Sequence, residues 1–128
     1  MLSKIKLNTK LYVFLIILIT IPTFFSLIRP GFFPMQDDLQ AFRVHQMFEC
    51  FKDFQIPCRW VPDAGYRYGY PQFNYYPPSV YYVGGILHLF QIQFIDTVKI
   101  LFATGVVLAA MTMFLFLKSF LDEFSAFV

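Results

Sequence analysis

The chain has 128 residues, 58% hydrophobic and only 14% charged, whereas soluble domains carry roughly a quarter charged residues. With a mean hydropathy of +0.58 it reads as a membrane protein, which excludes an ordinary soluble fold. The formal net charge is +2, with no Lys/Arg run or basic stripe, so nucleic acid is excluded as a partner.

Residues Met1 to Lys10 carry Lys4, Lys6 and Lys10 and no acid. The uncharged run 11–28 follows, and at 1.5 Å per residue it reaches about 27 Å, close to a hydrocarbon core. It is longer than the apolar stretch of a cleaved signal peptide and ends in Phe24, Phe25, Leu27 and Ile28 rather than small residues. It therefore predicts an uncleaved signal anchor, with Pro22 kinking the helix or ending its regular part. Arg29-Pro30-Gly31 stops this first span and opens a long polar loop, 29–78.

Asp37 suits a helix N-cap, and the pattern behind it predicts a helix over 37–54. Val44, Met47, Phe48, Phe51 and Phe54 fall on one face, and Asp38, His45, Glu49 and Lys52 on the other. Such a helix lies on the membrane plane or docks on the spans. Ile56-Pro57 ends it. From Arg59 onward, Pro62, Gly65, Gly69, Pro71, Pro77 and Pro78 predict an ordered loop with turns.

A second apolar run, Val80 to Phe94, contains Gly84-Gly85, His88, Gln91 and Gln93. Counted from Pro78 it is long enough for a second span, 79–94, with His88 near its cytoplasmic end. Asp96-Thr97 reads as a turn and N-cap before a third span, 97–117, in which Gly105 and Ala109 form a small-residue pair and Lys99 snorkels. The expected fold is an all-α membrane protein forming a single membrane domain, 1–128. It has about three transmembrane helices plus an interfacial amphipathic helix in a long external loop. Three lysines before the first span against Arg29 after it favour a cytoplasmic N-terminus, with loop 29–78 outside the cell membrane. Three spans put the end of the chain outside as well.

Chemistry concentrates in the loop. Asp37 and Asp38 can hold a divalent cation through oxygen ligands, or one can act as a base tuned by the other. The plainer reading is an N-cap followed by an acid suited to the helix dipole. His45 can flank a bound group with Asp38 or be a solvated surface histidine. Cys50 and Cys58 can form a short-range disulfide in an oxidising compartment or remain thiols. They are too few for a structural zinc site. The aromatic cluster Tyr66, Tyr68, Tyr70, Phe73, Tyr75 and Tyr76, with Trp60, can stack on sugar rings or form an interfacial belt. No phosphate-binding glycine loop and no serine or cysteine nucleophile pattern is present.

The stretch "GFFPMQDDLQAFRVHQMFECFKDFQIPCRWVPDAGYRYGYPQFNYYPPSVYYVGGIL" resembles the start of the GT-C-type polytopic membrane glycosyltransferases (glycosyltransferase family 39-like). It is most similar to bacterial membrane proteins labelled 6-pyruvoyl-tetrahydropterin synthase-related, although the sequence offers no pterin site. The resemblance covers essentially the whole chain but only the beginning of such a protein, so the chain is expected to be an N-terminal fragment, inactive in isolation. It implies transfer of a sugar from a polyprenyl-phosphate carrier to an acceptor at the outer face, with the lipid bilayer and the lipid-linked sugar as partners. The general base or metal ligand of the first external loop would fall on Asp37 or Asp38. Arg43, Arg59 and Arg67 are candidates for compensating the departing phosphate, and His45, Tyr75 and Tyr76 for contacting substrate. The alternative is a small non-enzymatic integral membrane protein whose aromatic loop binds a partner or glycan. An ion-coupled transport role for Asp38, His45 and His88 is weaker, because that reading sets the two histidines at opposite membrane faces.

Overall fold

The computed structural model describes residues 8–32 and 38–128 and is mostly helical. Among the described residues there is no strand, only one antiparallel bridge between Val61 and Tyr70. The helices are α1 (Thr9–Phe24), α2 (Gln40–Lys52), α3 (Gln72–Tyr75), α4 (Ser79–Leu89), α5 (Phe94–Lys118) and α6 (Glu123–Phe127). The chain divides into two compact units, Met1–Arg29 with Phe102–Val128, and Pro30–Leu101.

In the first unit, the Asn8 side chain accepts a hydrogen bond from the Lys10 N–H at 3.2 Å and caps α1. The helix runs through Pro22 to Phe24, then tightens into a 3-10 turn, Phe25–Ile28. Its buried residues, Tyr12, Ile16 and Thr20, recur every fourth position and so form one narrow stripe. Phe14, Leu18 and Ile19 on the remaining surface are exposed, as are Leu108, Met113, Leu115 and Phe116 of α5. The stripe meets Phe114, whose ring centroid is 6.0 Å from that of Tyr12, and Phe127, at 5.3 Å. A polar clamp closes the same end. The Lys118 ammonium donates to the Thr9 hydroxyl and pairs with Glu123, both at 2.7 Å, and the Thr9 hydroxyl donates to Glu123. The start of α1 thus lies beside the end of α5.

In the second unit, α2 packs on α4 around Val44, Met47, Cys50, Cys58, Val61, Phe73, Tyr81 and Val98. Gly84 and Gly85 make the approach close, because a Cβ at Gly84 would stand 3.0 Å from a Val44 methyl, and one at Gly85 2.5 Å from the Phe51 ring. The loop beyond α2 is fastened at three points. Cys50 and Cys58 form a disulfide, the Cys58 N–H donates to the Tyr82 hydroxyl oxygen at 2.8 Å, and Val61 and Tyr70 exchange backbone hydrogen bonds.

Several expectations are corrected. The helix expected over 37–54 starts at Gln40 and ends at Lys52. Asp38 therefore sits in the turn before it, and Asp37 lies outside the described residues. Phe54 adopts φ 54° and is 90% exposed, so it leaves the apolar face. The second run forms an eleven-residue helix, about 16 Å long against the roughly 30 Å of a hydrocarbon core. Among the described residues two helical segments, not three, are long and apolar enough to cross a membrane: Thr9–Ile28 and Phe94–Lys118. The last of these begins at Phe94, so Thr97 lies inside it and is fully buried. Lys99 is 8% exposed, with its ammonium 3.6 Å from Asp96.

Candidate functional site

The first turn of α2 gathers polar groups that a membrane-plane helix would leave solvated. Arg43 is buried, and its guanidinium carbon stands 4.2 Å from the centroid of the Tyr76 ring, within the range of a cation–π contact. Tyr76 in turn faces Tyr81, with ring centroids 6.4 Å apart, and Tyr81 faces Phe73 at 5.6 Å. The Tyr81 hydroxyl donates to Gln40 Oε1 at 2.8 Å. Local sequence explains the convergence. Gln40 and Arg43 are three apart and share a face of α2, while the short helix α3 and Pro77-Pro78 feed Tyr76 and Tyr81 back towards it. Asp38 is exposed in the turn just before this cluster.

The other anticipated residues are distributed elsewhere. His45 lies farther along α2, its Nε2 3.5 Å from Glu49 and its ring edge-on to Phe94 at 5.0 Å. His88 stacks on Phe94 at 3.8 Å, and its Nδ1 stands 2.7 Å from the Ile92 carbonyl oxygen. The two histidines therefore share one phenylalanine ring and are not held at opposite ends of a span. The physical reason is the short α4: Gln91, at φ 65°, turns the chain so that Phe94 returns beside α2. Arg59 and Arg67 are exposed on the 59–69 loop, and among the described residues neither makes an ion pair. Tyr75 is exposed, its ring 6.5 Å from that of Tyr70. Of the substrate-contacting candidates, Tyr76 alone joins the cluster beside Asp38, and the arginine found there is Arg43.

Gln46 is a polar residue whose role the helical pattern did not signal. It is 1% exposed and donates to Asp63 Oδ2 at 2.8 Å, tying α2 to the loop. Among the described residues no group of three or more His, Cys, Asp or Glu side chains gathers as a metal site, and both cysteines are committed to the disulfide. The chain matches no family model, no curated protein and no solved structure.

Proposed function

We propose that this chain is the N-terminal portion of a membrane glycosyltransferase of the GT-C type, acting on a polyprenyl-phosphate-linked sugar at the outer face of the cell membrane. The observation that carries the reading is the place of Asp38 in the turn immediately before the helix that bears a buried, Tyr76-stacked Arg43, inside a disulfide-closed unit flanked in sequence by two long apolar helices. Those helices expose apolar side chains beyond their one buried stripe, a surface that suits lipid. The bonded cysteines agree with an oxidising, external compartment for the loop.

In the proposed reaction the Asp37 or Asp38 carboxylate takes the proton of an acceptor hydroxyl. The freed oxygen bonds to the anomeric carbon, the bond from that carbon to the phosphate oxygen breaks, and the polyprenyl phosphate leaves with the electron pair. Arg43, in the first turns of α2, is the arginine proposed to compensate the departing charge. If a divalent cation binds, Asp37 and Asp38 supply the oxygen ligands and the cation supplies further charge compensation. Replacing both residues, Asp37→Asn and Asp38→Asn, in the full-length protein in native membranes should lower transfer at least about 100-fold, the low end of a general base's contribution, with expression unchanged. Unaltered transfer would sink the assignment.

A second reading keeps the membrane anchoring and drops the chemistry: a small integral membrane protein whose aromatic loop binds a partner or glycan. Tyr66 and Tyr68, 98% and 87% exposed at the loop tip, favour it. It predicts that the chain expressed alone retains a ligand and that the two aspartates are dispensable.

A further inference from the structure

At the opposite end of α2 from Arg43 lies a cleft of about 480 Å³, lined by Glu49, Cys50, Asp53, Gln55, Trp60 and Pro62. Its volume falls within the roughly 300–1,000 Å³ of small-molecule sites. Trp60 forms an aromatic wall, 47% exposed. The indole is held from behind by the Gly69 backbone, where a Cβ would stand 2.4–2.6 Å from three ring atoms, and Gly69 has φ +82°. Any side chain at position 69 would displace the ring, so the chain fixes this aromatic face before a ligand arrives.

Facing it are hydrogen-bonding groups of a particular kind. The Glu49 carboxylate is already paired with Lys52 at 2.7 Å and His45 at 3.5 Å. Asp53 is exposed and, among the described residues, makes no ion pair. Gln55 is exposed with its Oε1 3.1 Å from Cys50 Sγ, a bonded sulfur with no hydrogen to give, so the amide can still donate and accept. With Glu49 compensated, the cleft is not a strongly negative well for a multivalent cation. It offers one open carboxylate acceptor, an amide that both donates and accepts, and a flat apolar face. The Cys50–Cys58 disulfide joins the acidic wall at the end of α2 to the segment that carries Trp60.

We propose that this cleft is a saccharide-binding site. It takes a pyranose with the C–H face on Trp60 and hydroxyls donating to Asp53 and exchanging hydrogen bonds with Gln55. The claim is binding alone. It stands whether or not Asp37 and Asp38 perform transfer, so its failure and theirs are separable.

Trp60 is the sole tryptophan, so its emission reports on the cleft directly. The full chain is purified in a polyoxyethylene detergent, which carries neither sugar nor cation. It is titrated with methyl glucoside, methyl mannoside, methyl galactoside and N-acetylglucosamine, and separately with tetramethylammonium. At least one sugar should give a saturable change in Trp60 emission with a dissociation constant between about 0.1 and 10 mM. Ligand-observed saturation-transfer NMR should show the same contact, weakened at least about tenfold in Trp60→Ala and Asp53→Asn. Asp53 is exposed, so its asparagine variant keeps the test sound if Trp60→Ala fails to fold. The proposal is overturned by no saturable sugar response, by a response to tetramethylammonium alone, or by sugar binding that Asp53→Asn leaves unchanged.

Discussion

Gly85 lies where the Phe51 ring presses on α4, and a single methyl there would stand 2.5 Å from a ring carbon. Gly85→Ala must therefore push α2 and α4 apart or drive Phe51 off its rotamer, at a cost of about 1–3 kcal/mol. Gly105 is the internal control. It is also helical, but a methyl added there would meet nothing within 4 Å, so Gly105→Ala should be neutral or stabilising by up to about 1 kcal/mol. Thermal unfolding in detergent, followed by circular dichroism, should show a lowered midpoint for the first variant only. Equal midpoints would mean that the close approach of α2 and α4 contributes little. Gly84-Gly85 is visible in the sequence merely as an interruption of an apolar run. Its partners, Val44 and Phe51, lie more than thirty residues away, and no local periodicity encodes such a pairing. Arg43 and Gln46 escaped the polar-face assignment for a related reason: each is buried by a partner, Tyr76 or Asp63, drawn from another part of the chain.

At the scale of elements, α2 is legible because its apolar positions recur with the helical period, and Val44 and Met47 are buried as that period requires. Its ends are less legible, since Asp38 and Phe54 extend the pattern while backbone turns cut it short. Hydropathy likewise sums the residues of the second run without registering that the chain reverses after Leu89. The small helix α6 left little trace in the sequence, and its attachment is chemical. The Lys118 ammonium and the Thr9 hydroxyl, hydrogen-bonded to the Glu123 carboxyl, hold it below the usual carboxylate range. A carboxyl lowered in the folded state contributes stability that is complete above its ordinary value, about 4.3. That contribution is lost as the pH falls through the lowered value. Acidification below the ordinary carboxylate range should therefore loosen α6 from α1. The Ala126 methyl, buried beside Tyr12, should report this as a loss of ring-current shift in NMR spectra. Glu123→Gln should abolish the titration, and an identical titration in that variant would remove the clamp from the explanation.

For the molecule as a whole, the two long apolar helices determine how the chain would cross a bilayer. The contact of Tyr12 with Phe114 and Phe127, and of Thr9 with Lys118, sets the start of α1 beside the end of α5. If these two helices alone cross a bilayer, two crossings in place of the three counted from hydropathy return the chain after Lys118 to the side on which α1 begins. Single-cysteine probes at Tyr66→Cys and Phe120→Cys, both at exposed positions, separate these topologies. A membrane-impermeant maleimide applied to intact cells should label the first and spare the second. Labelling of both would restore the three-span arrangement. The apolar runs were readable from composition, but their pairing was not, because Tyr12, Ile16 and Thr20 look no different from their neighbours in a run that is apolar all round.

The bridge between Cys50 and Cys58 also has a consequence in time. Its cysteines are eight residues apart, and both exist sixty residues before Lys118 is translated. At about 5–20 residues per second, that interval is about 3–12 s. Closing so short a loop draws on no residue of α5, so the wall that carries Trp60 can be covalently set without waiting for the second apolar helix.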